Sequence, residues 1–82
     1  MNDAPPTFID GRITIDPTVC NGRPTIRGKR ITVQTVLEYL AAGDSEAEIL
    51  DQYPGLEPED IRACLQFAIR LMSQHYSLNH VA

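Results

Sequence analysis

Residues 32–50, TVQTVLEYLAAGDSEAEIL, carry the clearest secondary-structure signal in this chain. Gly43 is placed to end one helix, and Ser45 with Glu48 matches the capping box that begins another. Thr32 is a suitable N-cap for the first helix. Before the glycine, apolar side chains recur at intervals of three and four, as on the buried face of an amphipathic helix: Val33, Val36, Leu37 and Leu40. The stretch therefore predicts two helices joined by a tight turn.

A third helix is predicted after the break at Pro54-Gly55. Pro58 is favoured in the first turn of a helix, and Glu59 and Asp60 complement the positive end of its dipole. We expect the three helices to share one apolar core. The predicted core residues are Val36, Leu37, Leu40, Ile49, Leu50, Ile61, Leu65, Ala68 and Ile69.

The residues before the helices have the pattern of short strands and turns. Ile9, Ile13 and Ile15 lie two or four positions apart, while Asn21-Gly22 and Pro24 are turn signals. The predicted fold class is therefore mainly α, with a short N-terminal β segment followed by a three-helix bundle that resembles helix-turn-helix domains. We expect one domain at residues 9–73, between a flexible tail at 1–8 and a C-terminal tail at 74–82.

Composition excludes several classes of protein. The chain has 82 residues and a net charge of −4, so one copy is too small to enclose a large substrate cavity. No apolar run approaches the roughly 18 residues of a membrane helix, and the first residues lack the basic and apolar regions of a signal peptide. These features predict a cytoplasmic protein without membrane attachment.

The sequence contains little that would support catalysis or metal binding. His75 and His80 have no acidic residue close to them in sequence, and a zinc site would need Cys20 and Cys64 as additional ligands. Cys64 lies beside the apolar stripe of the predicted third helix, where a small buried side chain is the usual role. We therefore expect no catalytic residues, no metal and no cofactor.

Charge is distributed unevenly along the chain. Residues 1–35 carry five basic and three acidic side chains, net +2, whereas residues 36–82 carry two basic and eight acidic ones, net −6. This asymmetry favours an anionic partner for the N-terminal half, and the alternative is two solvated faces. The predicted nucleic-acid-binding residues are Arg23, Arg27, Lys29 and Arg30 in the basic segment, with Arg62 and Gln66 on the third helix. In the alternative, Arg30 forms an ion pair with an acid on the helices and the other cations are solvated.

Two groups of spaced residues together resemble a known bacterial family over roughly residues 12–70. The first is Ile15-Asp16-Pro17-x-x-Cys20-x-Gly22-x-Pro24-x-Ile26-x-Gly28-x-Arg30-Ile31-x-Val33. The second contains Gly43-x-Ser45 and Ile49, followed by Tyr53-Pro54-x-Leu56-x-x-Glu59-Asp60-Ile61-x-Ala63-x-Leu65. The pattern is similar to that of domain of unknown function number four hundred and thirty-three, whose members are described as antitoxins. Lys29 departs from it, because members often carry Thr or Ser after that glycine.

The resemblance implies a winged-helix-like or homeodomain-like fold, usually dimeric. It also implies an antitoxin that neutralises a PIN-like ribonuclease toxin encoded beside it and represses its own operon by binding operator DNA. A dimer is expected on physical grounds too, because three short helices offer little surface to cover the isoleucines of the β segment. The predicted dimer-interface residues are Ile13, Ile15, Ile26 and Ile31.

The predicted start of the third helix is unfavourable for reading DNA. It presents Glu57, Glu59 and Asp60, whereas base edges and phosphates are contacted by Arg, Lys, Asn or Gln. We therefore expect any DNA contact to depend more on the basic segment. The alternative function is a protein-interaction and dimerisation module that does not bind DNA.

Overall fold

The computed structural model of the protein describes residues 4–75 and contains three short strands followed by three helices. The strands are β1 (Thr7–Phe8), β2 (Ile13–Thr14) and β3 (Thr25–Ile26), and a 3₁₀ turn covers Cys20–Gly22. The helices are α1 (Val33–Ala41), α2 (Glu46–Gln52) and α3 (Pro58–His75). This order confirms the predicted fold class of a β segment followed by a three-helix bundle.

The strands form one antiparallel sheet in the order β1-β2-β3. Ile13 of β2 lies between Phe8 of β1 and Ile26 of β3. The prediction of a tail at residues 1–8 was too long, because β1 lies within it. The strand pattern assigned to Ile9 was also wrong, since Ile9 opens the turn between β1 and β2.

Two tight turns lie together at one end of this sheet. In the first, the Arg12 N–H donates to the Ile9 carbonyl at 3.0 Å, and the central Asp10 and Gly11 both have positive φ. In the second, the Lys29 N–H donates to the Ile26 carbonyl at 2.8 Å. Its central residues, Arg27 (φ +48°) and Gly28 (φ +73°), have the positive φ pair of a type I′ turn. A hydrogen bond of 2.9 Å from the Arg27 N–H to the Arg12 carbonyl joins the two turns.

The local signals for the first two helices are confirmed. The Thr32 hydroxyl accepts from the Thr35 N–H at 3.0 Å, as expected for an N-cap. Gly43 has φ +101° after α1, a conformation that favours glycine. Ser45 and Glu48 form a complete capping box, with each side chain accepting from the other's backbone N–H at 2.7 and 3.1 Å. These contacts are local, which is why the sequence predicts them well.

The buried side of α3 differs from the prediction. Phe67 packs in the core with its ring 5.6 Å from that of Phe8, whereas Leu65 and Ile69 are exposed. Apolar side chains cover more than half of the helix circumference between residues 61 and 72, so the sequence pattern does not define which side is buried. The core consists of Ile13, Ile26, Val33, Val36, Ile49, Leu56, Ile61, Ala63, Cys64 and Phe67.

Cys64 is fully buried in this core, as predicted. Burial raises the pKa of its thiol to about 12, and the nearby Asp60 charge adds to the shift. The thiol is therefore protonated at neutral pH and acts as a small apolar side chain. Within residues 4–75, no helix combines the length and apolarity needed to cross a membrane.

Candidate protein and nucleic-acid interfaces

The first turn of α3 contains a buried carboxylate, Asp60, that accepts four hydrogen bonds. Its Oδ1 accepts from Arg12 Nη1 at 2.9 Å and from Arg27 Nε at 3.1 Å. Its Oδ2 accepts from Arg27 Nη2 at 2.8 Å and from the backbone N–H of Glu57 at 2.8 Å. Asp60 has no exposed surface, so the two arginines replace the water that a carboxylate would otherwise need.

The geometry of this Asp60 cluster follows from the two turns and the start of α3. The turns place Arg12 and Arg27 side by side, and α3 places Asp60 three residues after Glu57, where a side chain can reach back to the N-cap N–H. Arg27 Nη2 also donates to the Gly55 carbonyl at 2.9 Å, and Arg12 Nη1 donates to Glu57 Oε1 at 2.8 Å. The cluster therefore connects the sheet to α3 through contacts 33 and 48 residues apart in sequence.

Asp60 is ionised in the folded protein. Its burial alone would raise the pKa of the carboxyl, but hydrogen bonds from Arg27, the Glu57 backbone and Arg12 outweigh it and lower the pKa below its usual range. The pKa of Arg27 is raised, chiefly by its hydrogen bonds to Asp60. The expectation that Asp60 would face the phosphates of DNA is therefore corrected, because this carboxylate is inside the protein and neutralised.

The structure separates the predicted nucleic-acid-binding residues instead of gathering them on one surface. Arg27 is held by Asp60, and Arg12 and Arg27, rather than Arg30, make the ion pairs with acids on the helices. Arg30 is exposed, and Lys29 is half-buried with its side chain against Gly55. Arg62 and Gln66 lie elsewhere, in a depression that also contains Asp10 and Glu59.

The isoleucines predicted at a dimer interface are also divided. Ile13 and Ile26 are fully buried within a single chain, which corrects their assignment because they have no surface to offer a second copy. Helix α3 covers these isoleucines instead, and its Ala63, Cys64 and Phe67 belong to the same core. Ile15 and Ile31 are only partly buried and pack against the edge of this core.

Within the described part of the chain, the exposed large apolar side chains lie instead on α3. Leu65 is 42% exposed, Ile69 65% and Met72 59%, although the sequence interpretation placed the first two in the core. These three residues follow one another at four and three positions and form what we call the α3 ridge. That spacing is typical of the residues through which two helices pack against each other. It is the feature of the sequence from which an exposed helix-packing surface could have been predicted.

Beside the ridge, an apolar groove of about 300 Å³ runs between α1 and α3. We call it the α1–α3 groove. Ala68 connects it to the ridge, because Leu65 and Met72 lie three and four positions away on the same helix. Its apolar lining consists of Pro24, Val33, Leu37, Phe67, Ala68 and Leu71. Arg23 supplies the single charge in the lining.

Among the residues that the structure describes, no three His, Cys, Asp or Glu side chains come together as a metal site would require. Cys20 is partly exposed and Cys64 is buried, and both are free thiols. The side chain of His75 and the whole of His80 lie outside what the structure describes. The features that stand out are the α3 ridge, the α1–α3 groove and the Asp60 cluster that connects the sheet to α3.

Comparison with known proteins identifies the family. The chain is 36% identical over 56 residues to an uncharacterized protein, y4eO, of Sinorhizobium fredii, a match that covers 68% of this chain and 25% of that protein. It also matches the crystal structure of a DUF433 member protein from Anabaena variabilis, with 38% identity, a TM-score of 0.72, and coverage of 78% of this chain and 63% of that one. The chain thus spans a quarter of the curated relative. The sequence model of DUF433, a protein family of unknown function, matches residues 13–68, and the chain belongs to that family.

Proposed function

We propose that this chain is the antitoxin of a toxin–antitoxin pair, a small dimeric cytoplasmic regulator that neutralises a PIN-like ribonuclease encoded beside it. The observation that supports a protein-binding role most strongly is the α3 ridge. Three large apolar side chains, two of them more than half exposed, are grouped on one face of a helix. Grouped apolar residues on a surface mark sites of protein association, whereas isolated ones do not.

The ridge also supports the dimer and suggests where it forms. Leu65, Ile69 and Met72 have the spacing of apolar positions in the seam between two helices. A two-fold axis would place the ridge of one copy against the ridge of another, and each would cover the other. In this proposal the dimer forms through α3 and not through the strands.

Light scattering and nuclease assays test this proposal together. At micromolar concentration the chain is expected to have twice its 9.1 kDa mass, and Ile69→Ser should shift it to the monomer, because this change removes the centre of the ridge. Gln52→Ser, an exposed change on α2, is the control and should leave the dimer intact.

The purified product of the neighbouring gene should lose ribonuclease activity when this chain is added. A monomeric chain that leaves the nuclease active would overturn the proposal.

A second candidate function, binding of operator DNA, is favoured by the charges near the second turn. Within residues 4–75, Lys29 and Arg30 make no ion pair, and Arg30 is exposed. A two-fold dimer would present this pair twice. Arg27 contributes less than the sequence suggests, since Asp60 already holds its guanidinium.

Gel-shift or anisotropy titrations with the DNA upstream of the gene test this second function. Replacing both Lys29 and Arg30 with alanine would remove up to four phosphate contacts from a dimer. Each lost contact lowers the magnitude of the slope of log affinity against log salt by about 0.9, so this magnitude should fall by up to about 3.6. Glu59→Gln, which removes an exposed negative charge, should leave binding equal or tighter. Absence of binding at low salt would favour the protein-interaction module without DNA.

A further inference from the structure

We propose that the α1–α3 groove binds an amphipathic helix of the partner protein. In this proposal the helix carries an acidic side chain next to the apolar side chains that enter the groove, and this acid pairs with Arg23. This inference rests on the proposed function, because it names the chemistry of the partner that the chain would sequester. It concerns the groove, which adjoins the α3 ridge at Ala68.

The size and lining of the groove favour side chains of a protein over a small molecule. Its volume of about 300 Å³ is at the lower end of the roughly 300–1,000 Å³ found for sites of drug-sized ligands. Val33 and Leu37 line it from α1, and Ala68 and Leu71 line it from α3. Grooves of this kind between two helices accept the apolar face of a third helix.

The polar groups of the groove indicate the charge of the occupant. The Thr32 hydroxyl is already bonded to Thr35 at 2.9 Å, and the Gln34 amide donates to Glu38 at 3.1 Å. Arg23 is exposed and its side chain makes no hydrogen bond or ion pair with any residue from 4 to 75. An unpaired guanidinium at the edge of an apolar surface is complementary to a carboxylate on the molecule that covers it.

Among the residues that the structure describes, no exposed apolar segment carries the required acid. The exposed large apolar residues of the described structure are Leu65, Ile69, Leu71 and Met72. No Asp or Glu lies within four positions of any of them, and the sequence contains no acidic residue after Asp60. The charged residues of this part of α3 are Arg62 and Arg70. A second copy of α3 in the groove would therefore bring further arginines towards Arg23. The charge pattern favours a different protein.

Titration calorimetry with the purified product of the neighbouring gene tests the groove. Ala68→Trp fills it and should weaken binding about 30-fold, the effect of losing one strong interface residue. Arg23→Glu reverses its charge without adding volume and should weaken binding about tenfold. The matched controls, Ala47→Trp on α2 and Arg70→Glu on the part of α3 beside the first turn, should bind as the unmodified chain does. Melting curves of all four variants establish that each is folded.

Hydrogen exchange on the complex then identifies the covered segment of the partner. We expect protection of a helix with an acidic residue, and replacing that residue with Lys should restore binding to the Arg23→Glu variant. Unchanged binding of both Ala68→Trp and Arg23→Glu would overturn the groove proposal while the proposed function stands. Loss of the chain's own dimer in both Ala68→Trp and Arg23→Glu would assign the groove to a second copy, and protection of a basic or extended segment would also contradict the proposal. If the unmodified chain forms no complex, the proposed function fails and the groove proposal fails with it.

Discussion

Asp60→Asn is expected to lower the free energy of unfolding by about 3 kcal/mol, a large share of the roughly 5 kcal/mol at the low end for small domains. The change removes the charge that Arg12 and Arg27 share, and an amide cannot accept their hydrogen bonds at both of its terminal atoms. The value is at the low end for a broken buried ion pair because both arginine side chains are about 30% exposed and can recover some hydration. Urea denaturation followed by circular dichroism measures the change.

Glu59→Gln is the matched control, since Glu59 is the preceding acid and is exposed. Surface substitutions of this kind change stability by about 0.5 kcal/mol or less. Similar losses at positions 59 and 60 would contradict the special role of Asp60 and would indicate a general effect of acids near the helix N-terminus.

The stabilisation by Asp60 should depend on pH in a defined direction. The native pKa of Asp60 lies below its ordinary value of 3.8, so folding favours the ionised form. The contribution is complete above the pKa of the unfolded chain and is lost as the pH falls through the native pKa. The stability difference between the unmodified chain and Asp60→Asn should therefore be constant near neutrality and shrink in acid below about pH 4. A difference that persists unchanged in strong acid would show that the ionised carboxylate is not its source.

Ile61→Ala is the other substitution expected to have a large effect, with a loss of about 2–5 kcal/mol in the free energy of unfolding. Ile61 has no exposed surface, and truncating it leaves a cavity between α3 and the remaining core. Urea denaturation at several protein concentrations measures the loss and separates it from dissociation of a dimer.

The control lies one turn further along the same helix. Leu65 is 42% exposed, so Leu65→Ala should cost less than about 1 kcal/mol when measured on the monomer. At higher concentration its cost should rise if the α3 ridge forms the dimer. A monomer destabilised as much by Leu65→Ala as by Ile61→Ala would mean that α3 is rotated relative to the structure described above.

The parts of the fold that were predicted correctly depend on neighbouring residues. Thr32, Gly43 and the Ser45–Glu48 pair define helix ends through contacts over three or four positions, and the structure contains each of them. The first β turn also depends on neighbouring residues, but it was missed. Asp10-Gly11 is a strong hairpin signal, but the regular spacing of the isoleucines concealed it.

The parts that were not predicted depend on contacts between distant residues. Nothing near Arg27 in sequence shows that its side chain reaches Asp60, 33 positions away. The first-turn acids of α3 look alike in sequence, yet Glu59 is exposed and Asp60 is buried. The buried face of α3 was ambiguous because apolar side chains cover more than half of the helix circumference. Contacts of α3 with β1 and β2 determine that the Phe67 side is buried, and these contacts form only when the chain folds.

The Asp60 cluster also determines how this domain can be exchanged between proteins. Arg12, Arg27 and Asp60 come from the first turn, the second turn and the third helix, so no shorter piece of the chain contains both arginines and the carboxylate that they neutralise. A chimera that takes residues 1–35 from one relative and the helices from another would keep a paired Asp60 only when the incoming segment supplies arginines at both turns. The part of the chain that can be moved between proteins is therefore the whole span from Arg12 to Asp60 together with the rest of α3. Recombination inside that span would be tolerated only between sequences that have the same residues at positions 12, 27 and 60.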